Sequence, residues 1–397
     1  MMKICLKHAL CSVGLTTICT SPAWCEPTVS LPVSSGASVS SNPFLREGGR
    51  SGQSVFVEAE PTIAWLDERS QATLQGQLRY DRFLRNYSDD ISVRIAANAQ
   101  QEISETATLK AHGSLRSARA NGLDILRLGS GTPGVDGPSP VLPDVTFGGA
   151  RGRTTYLEAG VGLTKALSPT LSLAADVATS LNRFSQSSAR DSRIASVSAS
   201  LSRALSERSR LVLSLETSAV DYLEGRQGDG IILSPTVGWN LRLNEGTTFS
   251  VAAGTSIVSV NQVTGGRDTR VSLAGRANLC SRQNNINFCV RLSRAAQPIA
   301  EGGLKPVTSA GLSAGAVLNR RDQLSADASY TRSAKTSSLL DSGSELAQAS
   351  ATFTRQFNDR LSAFASPSVA KLSSNLNSPK PNVTLRVGVR FRFGALR

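Results

Sequence analysis

The residues with the clearest chemistry are two cysteines in "CSRQNNINFC", Cys280 and Cys289, with Asn284-Asn285 midway between them. If the two asparagines form a two-residue hairpin turn, residues 283, 282, 281 and 280 face 286, 287, 288 and 289 in order. Asn tolerates the positive φ that a type I′ turn demands. Cys280 and Cys289 then meet in a non-hydrogen-bonded pair, where Cα atoms approach to about 4.5 Å, the short end of what a disulfide spans. In an oxidising compartment the expected chemistry is a bridge. No histidine or acid cluster accompanies the pair, so no metal site is expected, and no cofactor elsewhere.

Catalytic groups are scarce. Beyond the first 25 residues His112 is the sole histidine, and no serine can be assigned to it as a nucleophile. The acidic pairs and His–Asp set of a membrane protease are not found either. The sequence is read as that of a non-enzyme. Its abundant chemistry is cationic: Arg79, Arg94, Lys110, Arg116, Arg242, Arg276, Arg291, Arg386, Arg390 and Arg392. Each alternates with apolar neighbours, a spacing that suits one face of a strand. Few aromatics accompany them, which argues against nucleic acid.

The elements that would position these groups follow from that alternation. In "VTLRVGVRFRF" the apolar residues Val383, Leu385, Val387, Val389, Phe391 and Phe393 occupy every odd position. A period of two puts them on one face and Arg386, Arg390 and Arg392 on the other. The pattern recurs in "ISVRIAANAQ", in "TATLKAHGSLRS", in "RIASVSASLSRAL", and from near Val55, Ala72, Tyr156, Leu171, Leu211, Leu233, Phe249, Val271, Ile286, Val307, Leu324, Leu346 and Leu361. A weaker example runs through "TVSLPVSSGASVSS". Each segment has the length of a tilted strand crossing a bilayer.

Short connections (67–70, 100–104, 168–169, 206–208, 244–246, 284–285, 319–322 and 358–359) alternate with mostly longer ones, of which 119–152 is the longest. The fold expected is an all-β, transmembrane, antiparallel up-and-down β-barrel of about 18 strands, or 16 should the weak first strand not count. Fixed repeats of a solenoid are missing. The apolar faces are mostly Ala, Val and Leu with Gly, too small for a soluble sandwich core.

Residues 1–25 have Lys3 and Lys7, a short apolar run and an Ala-x-Cys step at Ala23 to Cys25, the layout of a cleaved secretory signal peptide. Its removal takes four cysteines and His8, and lowers the net charge from +13 to +11. The barrel is then residues 26–397. No apolar run long enough for a transmembrane helix remains, and the stretch before the barrel is too short for a transporter's plug domain. Lipid is the expected partner, in the bacterial outer membrane.

On this phase the cations line the lumen with fewer acids (Glu58, Glu60, Asp81, Glu158, Asp176, Glu216 and Asp327) and should favour anions in it. Segment 119–152 is expected either as a mobile outer loop or as an eyelet bringing Asp124, Asp136 and Asp144 against wall arginines. Trp65 and Trp239, on apolar faces near short turns, read as an interfacial girdle.

Residues 386–393, "RVGVRFRF", resemble the β-signal of outer-membrane proteins, with Arg386, Gly388, Phe391 and Phe393 in its defining places. The resemblance implies recognition by the barrel-assembly machinery, although "GALR" follows where such proteins usually stop. The first quarter, "SNPFLREGGRSGQSVFVEAEPTIAWLDERSQATLQGQLRYDRFL", loosely resembles β-barrel porins of exopolysaccharide loci. That likeness implies a porin-like channel with polysaccharide-export components as partners. The contrasting expectation is a non-conducting barrel that anchors a periplasmic partner or displays loops.

Overall fold

The computed structural model describes residues 27–119, 152–185, 189–223, 228–261, 266–299, 303–334, 343–374 and 378–394. The signal-peptide segment and the three loop aspartates Asp124, Asp136 and Asp144 lie outside them. All regular structure described is β. The strands are β1 (Thr28–Ser40), β2 (Gly52–Ala59), β3 (Thr62–Leu66), β4 (Ser70–Phe83), β5 (Asp90–Ser104), β6 (Ala107–Arg119), β7 (Arg153–Ser168), β8 (Leu171–Phe184), β9 (Ser192–Ser206) and β10 (Ser209–Tyr222). They continue as β11 (Gly230–Arg242), β12 (Thr247–Asn261), β13 (Arg267–Gln283), β14 (Ile286–Pro298), β15 (Leu304–Val317), β16 (Asp322–Ser333), β17 (Ser344–Gln356), β18 (Leu361–Ser374) and β19 (Asn382–Gly394).

Nineteen segments make eighteen crossings. Both β2 and β3 pair with β1 on one side and β4 on the other, and the alignment does not slip between them: Val33 faces Ala59 and Ser30 faces Thr62. The interruption falls at Glu60-Pro61, where proline has no N–H to donate. Pro235 and Pro367 act more gently, each costing the ladder pairs on one side only. Pairing of β11 with β12 lapses between Leu233 and Thr236, and that of β18 with β17 between Phe353 and Ser350.

From β4 onward each strand pairs antiparallel with its sequence neighbour, and β1 closes the sheet onto β19 from Ser30 opposite Gly394 to Ser40 opposite Thr384. Closure removes the open edges that a bilayer would not tolerate. The outside is greasy: Leu157, Val161 and Leu163 on β7, Leu213 and Leu215 on β10, and Val383, Leu385, Val387, Val389, Phe391 and Phe393 on β19 are all exposed. In water so much exposed apolar surface would aggregate. As the belt of an outer-membrane barrel it meets its proper solvent, and this is that architecture.

One turn differs from its expected place. The sequence suggests a turn at 100–104, but β5 runs on to Ser104 and the chain reverses at Glu105-Thr106. Ile103 keeps the outward apolar alternation beyond the amides Gln100 and Gln101, so the strand outlasts the polar stretch that resembled a turn.

Candidate functional site

The barrel interior divides into two walls of opposite character. From β8 to β12 many of the inward side chains at mid-height are small hydroxyls. Ser196, Ser198, Ser200 and Ser202 alternate on β9 with the outward Val197, Ala199 and Leu201. Their neighbours bond across strands, Ser214 with Thr236 (2.8 Å) and Ser234 with Ser256 (3.0 Å). Hydroxyls satisfy one another in this way without reaching far from the wall.

The wall from β18 through β19, β1 and β2 to β4 is thick. Along its outer half strand β1 presents Ser34, Gly36, Ser38 and Ser40 inward, so longer side chains from both sides meet across it. Along one register row stand Phe364, Gly388, Gly36 and Phe56. A Cβ on Gly36 would come within 2.9 Å of the Phe56 ring, and one on Gly388 within 2.9 Å of the Phe364 ring. The rings therefore lie over the glycines, 6.3 Å apart, as aromatics cover glycines in other sheets.

Over Phe56 lie two guanidinium groups, Arg386 at 4.5 Å and Arg79 at 5.0 Å. Arg386 donates to Glu58 Oε2 (3.2 Å), and Gln77 donates to the other oxygen. Arg79 donates to Asp81. Phe56, Glu58, Arg79 and Arg386 are all at most 5% exposed. The structure thus gives Arg386 and Gly388 packing roles at the seam, apart from any in recognition.

The outer mouth beside this wall is narrowed by residues 41–51, the connection from β1 to β2. They turn inward because two apolar knobs anchor them. Leu45 is fully buried against the inward Leu346, Ala370 and Leu372, although its φ of 48° is a left-handed value unusual for leucine. Burying a leucine stabilises by about 2 kcal/mol, enough to offset a left-handed residue's cost of roughly 1 kcal/mol. Phe44 packs on Phe83 (5.7 Å) and Tyr87 (5.1 Å), with Arg46 over its ring. At the loop's base Asn42 donates through Nδ2 to the carbonyls of Arg46 (2.9 Å) and Lys380 (3.1 Å), and accepts from Arg46 N–H (3.1 Å).

A second inward contact comes from the end of the β14–β15 hairpin. Tyr222 Oη, on the inner face of β10, lies 2.8 Å from the carbonyl oxygens of both Ile299 and Gly303. Ala296 and Leu304 pack there against Val220, Tyr222, Ile232 and Val258. Three strands lie between β10 and β14, so this contact folds over the inner face of the strands between them. The sequence signal for both inward folds was weak: Phe44 and Leu45 in an otherwise polar, glycine-rich connection, and Tyr222 at the very end of a strand.

The remaining cations keep the expected inward phase. Lys110, Arg242 and Arg276 are exposed on the inner face, Arg94 stands directly opposite Arg116, and Arg291 is half-buried opposite Asn278. Arg390 pairs with Glu60 (3.1 Å). Cys280 and Cys289 are joined, with Cα atoms 4.1 Å apart and the ladder register expected of them. Only Asn284 of the turn pair takes positive φ, at 47°, so the turn is not the type I′ that both asparagines would make. His112 lies 4.0 Å from Glu158, its ring over Gly160. Among the described residues no cluster of His, Cys, Asp and Glu could hold a metal ion.

No protein-family model and no curated protein matches the chain. Among solved structures it is similar to Pseudomonas aeruginosa OccK2 (OpdF) in complex with glucuronate, at 12% identity and a TM-score of 0.49, covering 94% of this chain and 99% of that one. Similarity to Pseudomonas aeruginosa OpdL gives 11% identity, a TM-score of 0.45 and coverage of 93% and 99%. For the FrpB iron transporter of Neisseria meningitidis the values are 8%, 0.44, 93% and 83%.

Proposed function

We propose that the protein is a porin-like channel whose interior favours anionic solutes. The observation that carries this reading is the middle of the wall from β8 to β12, where Ser196, Ser198, Ser200, Ser214, Ser234 and Thr236 line the inside of a closed, lipid-facing barrel. Such a wall leaves an aqueous path that bulky side chains would fill. Exposed inward cations, Lys110, Arg242 and Arg276, with Arg94, Arg116 and Arg291 beside the path, raise the local anion concentration. The buried Arg79 belongs to the seam more than to the water. An acidic exopolysaccharide on its way out is the substrate class that the resemblance of the first quarter suggests.

Single-channel recording from the purified mature barrel in a planar bilayer tests the reading. Stepwise conductance with an anion-sided reversal potential in a salt gradient supports it; cation selectivity overturns the lumen assignment. A second reading, a barrel that conducts nothing and presents its loops or holds a periplasmic partner, draws on the two inward folds at the mouth. A folded, heat-modifiable barrel that stays silent would decide for it.

A further inference from the structure

The outward face carries a feature that permeation does not use. At the outer ends of β6, β7, β8 and β9, Arg119, Arg153, Arg183 and Arg193 each continue the outward phase of their strand, and Arg119 and Arg153 reach back to the buried Asp90. The register sets them in a row. Arg119 stands opposite Arg153, Arg183 opposite Thr155, and Arg193 opposite Leu181. Adjacent members are thus direct or diagonal cross-strand neighbours, within about 8 Å.

Like charges so placed repel unless something negative sits among them. Two carboxylates do. Asp90 takes Arg153 at 3.1 Å and Arg119 at 3.6 Å, and Asp221 stands opposite Arg193 in the register. Arg119 also donates to Ser88 Oγ (2.7 Å). Arg183 and Arg193 are exposed and enter no ion pair among the described residues. Asp89, which accepts from the outward Tyr80, brings the nearby carboxylates to three, and four guanidinium groups still leave the row cationic.

Its height suits a head group. On β9 the outward residues between Arg193 and Arg203 are Ala195, Val197, Ala199 and Leu201. Ten residues of strand rise about 33 Å, or roughly 25 Å along the membrane normal at the usual tilt, the height of the apolar band. Arg193 therefore stands at the outer interface and Arg203 at the inner one. On these strands the inner rim carries only Lys165 and Arg203 as outward cations, half as many. Simple snorkelling would treat the two rims alike.

We propose that Arg119, Arg153, Arg183 and Arg193 seat the phosphate groups of a phosphorylated glycolipid in the outer leaflet. A planar guanidinium takes two phosphate oxygens at once, and Arg183 and Arg193 are the pair left available for it.

The test is native mass spectrometry of the full mature barrel in detergent, with bisphosphorylated lipid A, the same lipid stripped of phosphate, and inorganic phosphate as competitor. Wild type should bind the phosphorylated lipid at least tenfold more tightly than the stripped one. R183S/R193S should lose about thirtyfold, since a head-group contact of this kind is worth roughly 1 kcal/mol per arginine, while K165S/R203S should bind as wild type. Equal binding of the two lipids by wild type overturns the proposal even if no variant folds. So do an unaffected R183S/R193S, an equal loss in K165S/R203S, or displacement by millimolar inorganic phosphate.

Discussion

The seam wall and the hydroxyl wall are cut from the same alternating strands, yet they solve opposite problems. Around β1 the inward residues are either very small or very large. Glycines and serines on one strand make room for arginine, glutamate and phenylalanine from the next, and the result is buried and charge-paired. From β8 to β12 the inward residues at mid-height are mostly small, and only at the outer end do Val220, Tyr222, Ile232 and Val258 pack into a buried cluster. A barrel needs no filled core, because lipid takes up its apolar surface. Packing can therefore be concentrated where the first and last strands must find each other, and be sparse where water must pass.

That contrast can be broken most forcefully at Glu58. In the Glu58→Leu variant Arg386 loses the carboxylate it donates to while staying buried, and removing one partner of a buried pair costs about 3 kcal/mol or more. The matched change on the other wall, Ser256→Ala, removes a buried hydroxyl bonded to Ser234 and should cost about 1 kcal/mol. Denaturant unfolding of refolded barrels in micelles measures both. Equal costs would mean that the seam is no stiffer than the rest.

The disulfide is a covalent pin beside the hydroxyl wall. The bridge closes a loop of nine intervals, which in the chain-entropy account is worth about 2.5 kcal/mol at most. The Cys280→Ser/Cys289→Ser barrel should lose up to that amount, less whatever the Asn284-Asn285 turn already enforces. Thiol labelling of unfolded wild type, with and without reductant, checks that the bond is present. Labelling without reductant would remove it.

Glycine gives the next contrast. A methyl group on Gly388 meets both the Ser35 carbonyl and the Phe364 ring, whereas one on Gly311 has nothing nearer than the Ala328 carbonyl at 4.0 Å. Gly388→Ala should then destabilise by about 2 kcal/mol, and Gly311→Ala by no more than about 0.5 kcal/mol. Stability of refolded protein is the right readout, because it separates packing from assembly in the cell.

What could be read from sequence differs between the walls in the same way. The period of two is a local signal, and it carried the strand count, the inward phase of Lys110 and Arg276, and the pairing of Cys280 with Cys289. It says nothing about residues hundreds of positions apart. Arg386 and Glu58 meet only because β1 lies between their strands with glycine and serine facing in, and no spacing encodes that. Leu45 is hidden for another reason, since one apolar residue in a polar connection has no period. The break at Glu60-Pro61 was visible as a proline, but its unslipped register follows only from both flanking ladders.

The smallest expected effect is electrical, and it sets the two walls directly against each other. Arg79 and Arg386 are matched by Asp81 and Glu58 at contact distance, so their fields largely cancel a few ångströms away. Arg242 and Arg276 are exposed on the inner face and make no ion pair among the described residues, so their charge reaches the water. Neutralising them in R242S/R276S should move the reversal potential in a salt gradient toward the cation side. Removing a whole seam pair in R79S/D81S should leave it unchanged in those channels that still fold. Solvent screening limits each exposed charge to about a Debye length, roughly 10 Å in 0.1 M salt, so the shift should grow as the salt is diluted. If the seam pair moved the potential as far as the free cations did, the aqueous path would run along the seam and the two walls would have to exchange roles.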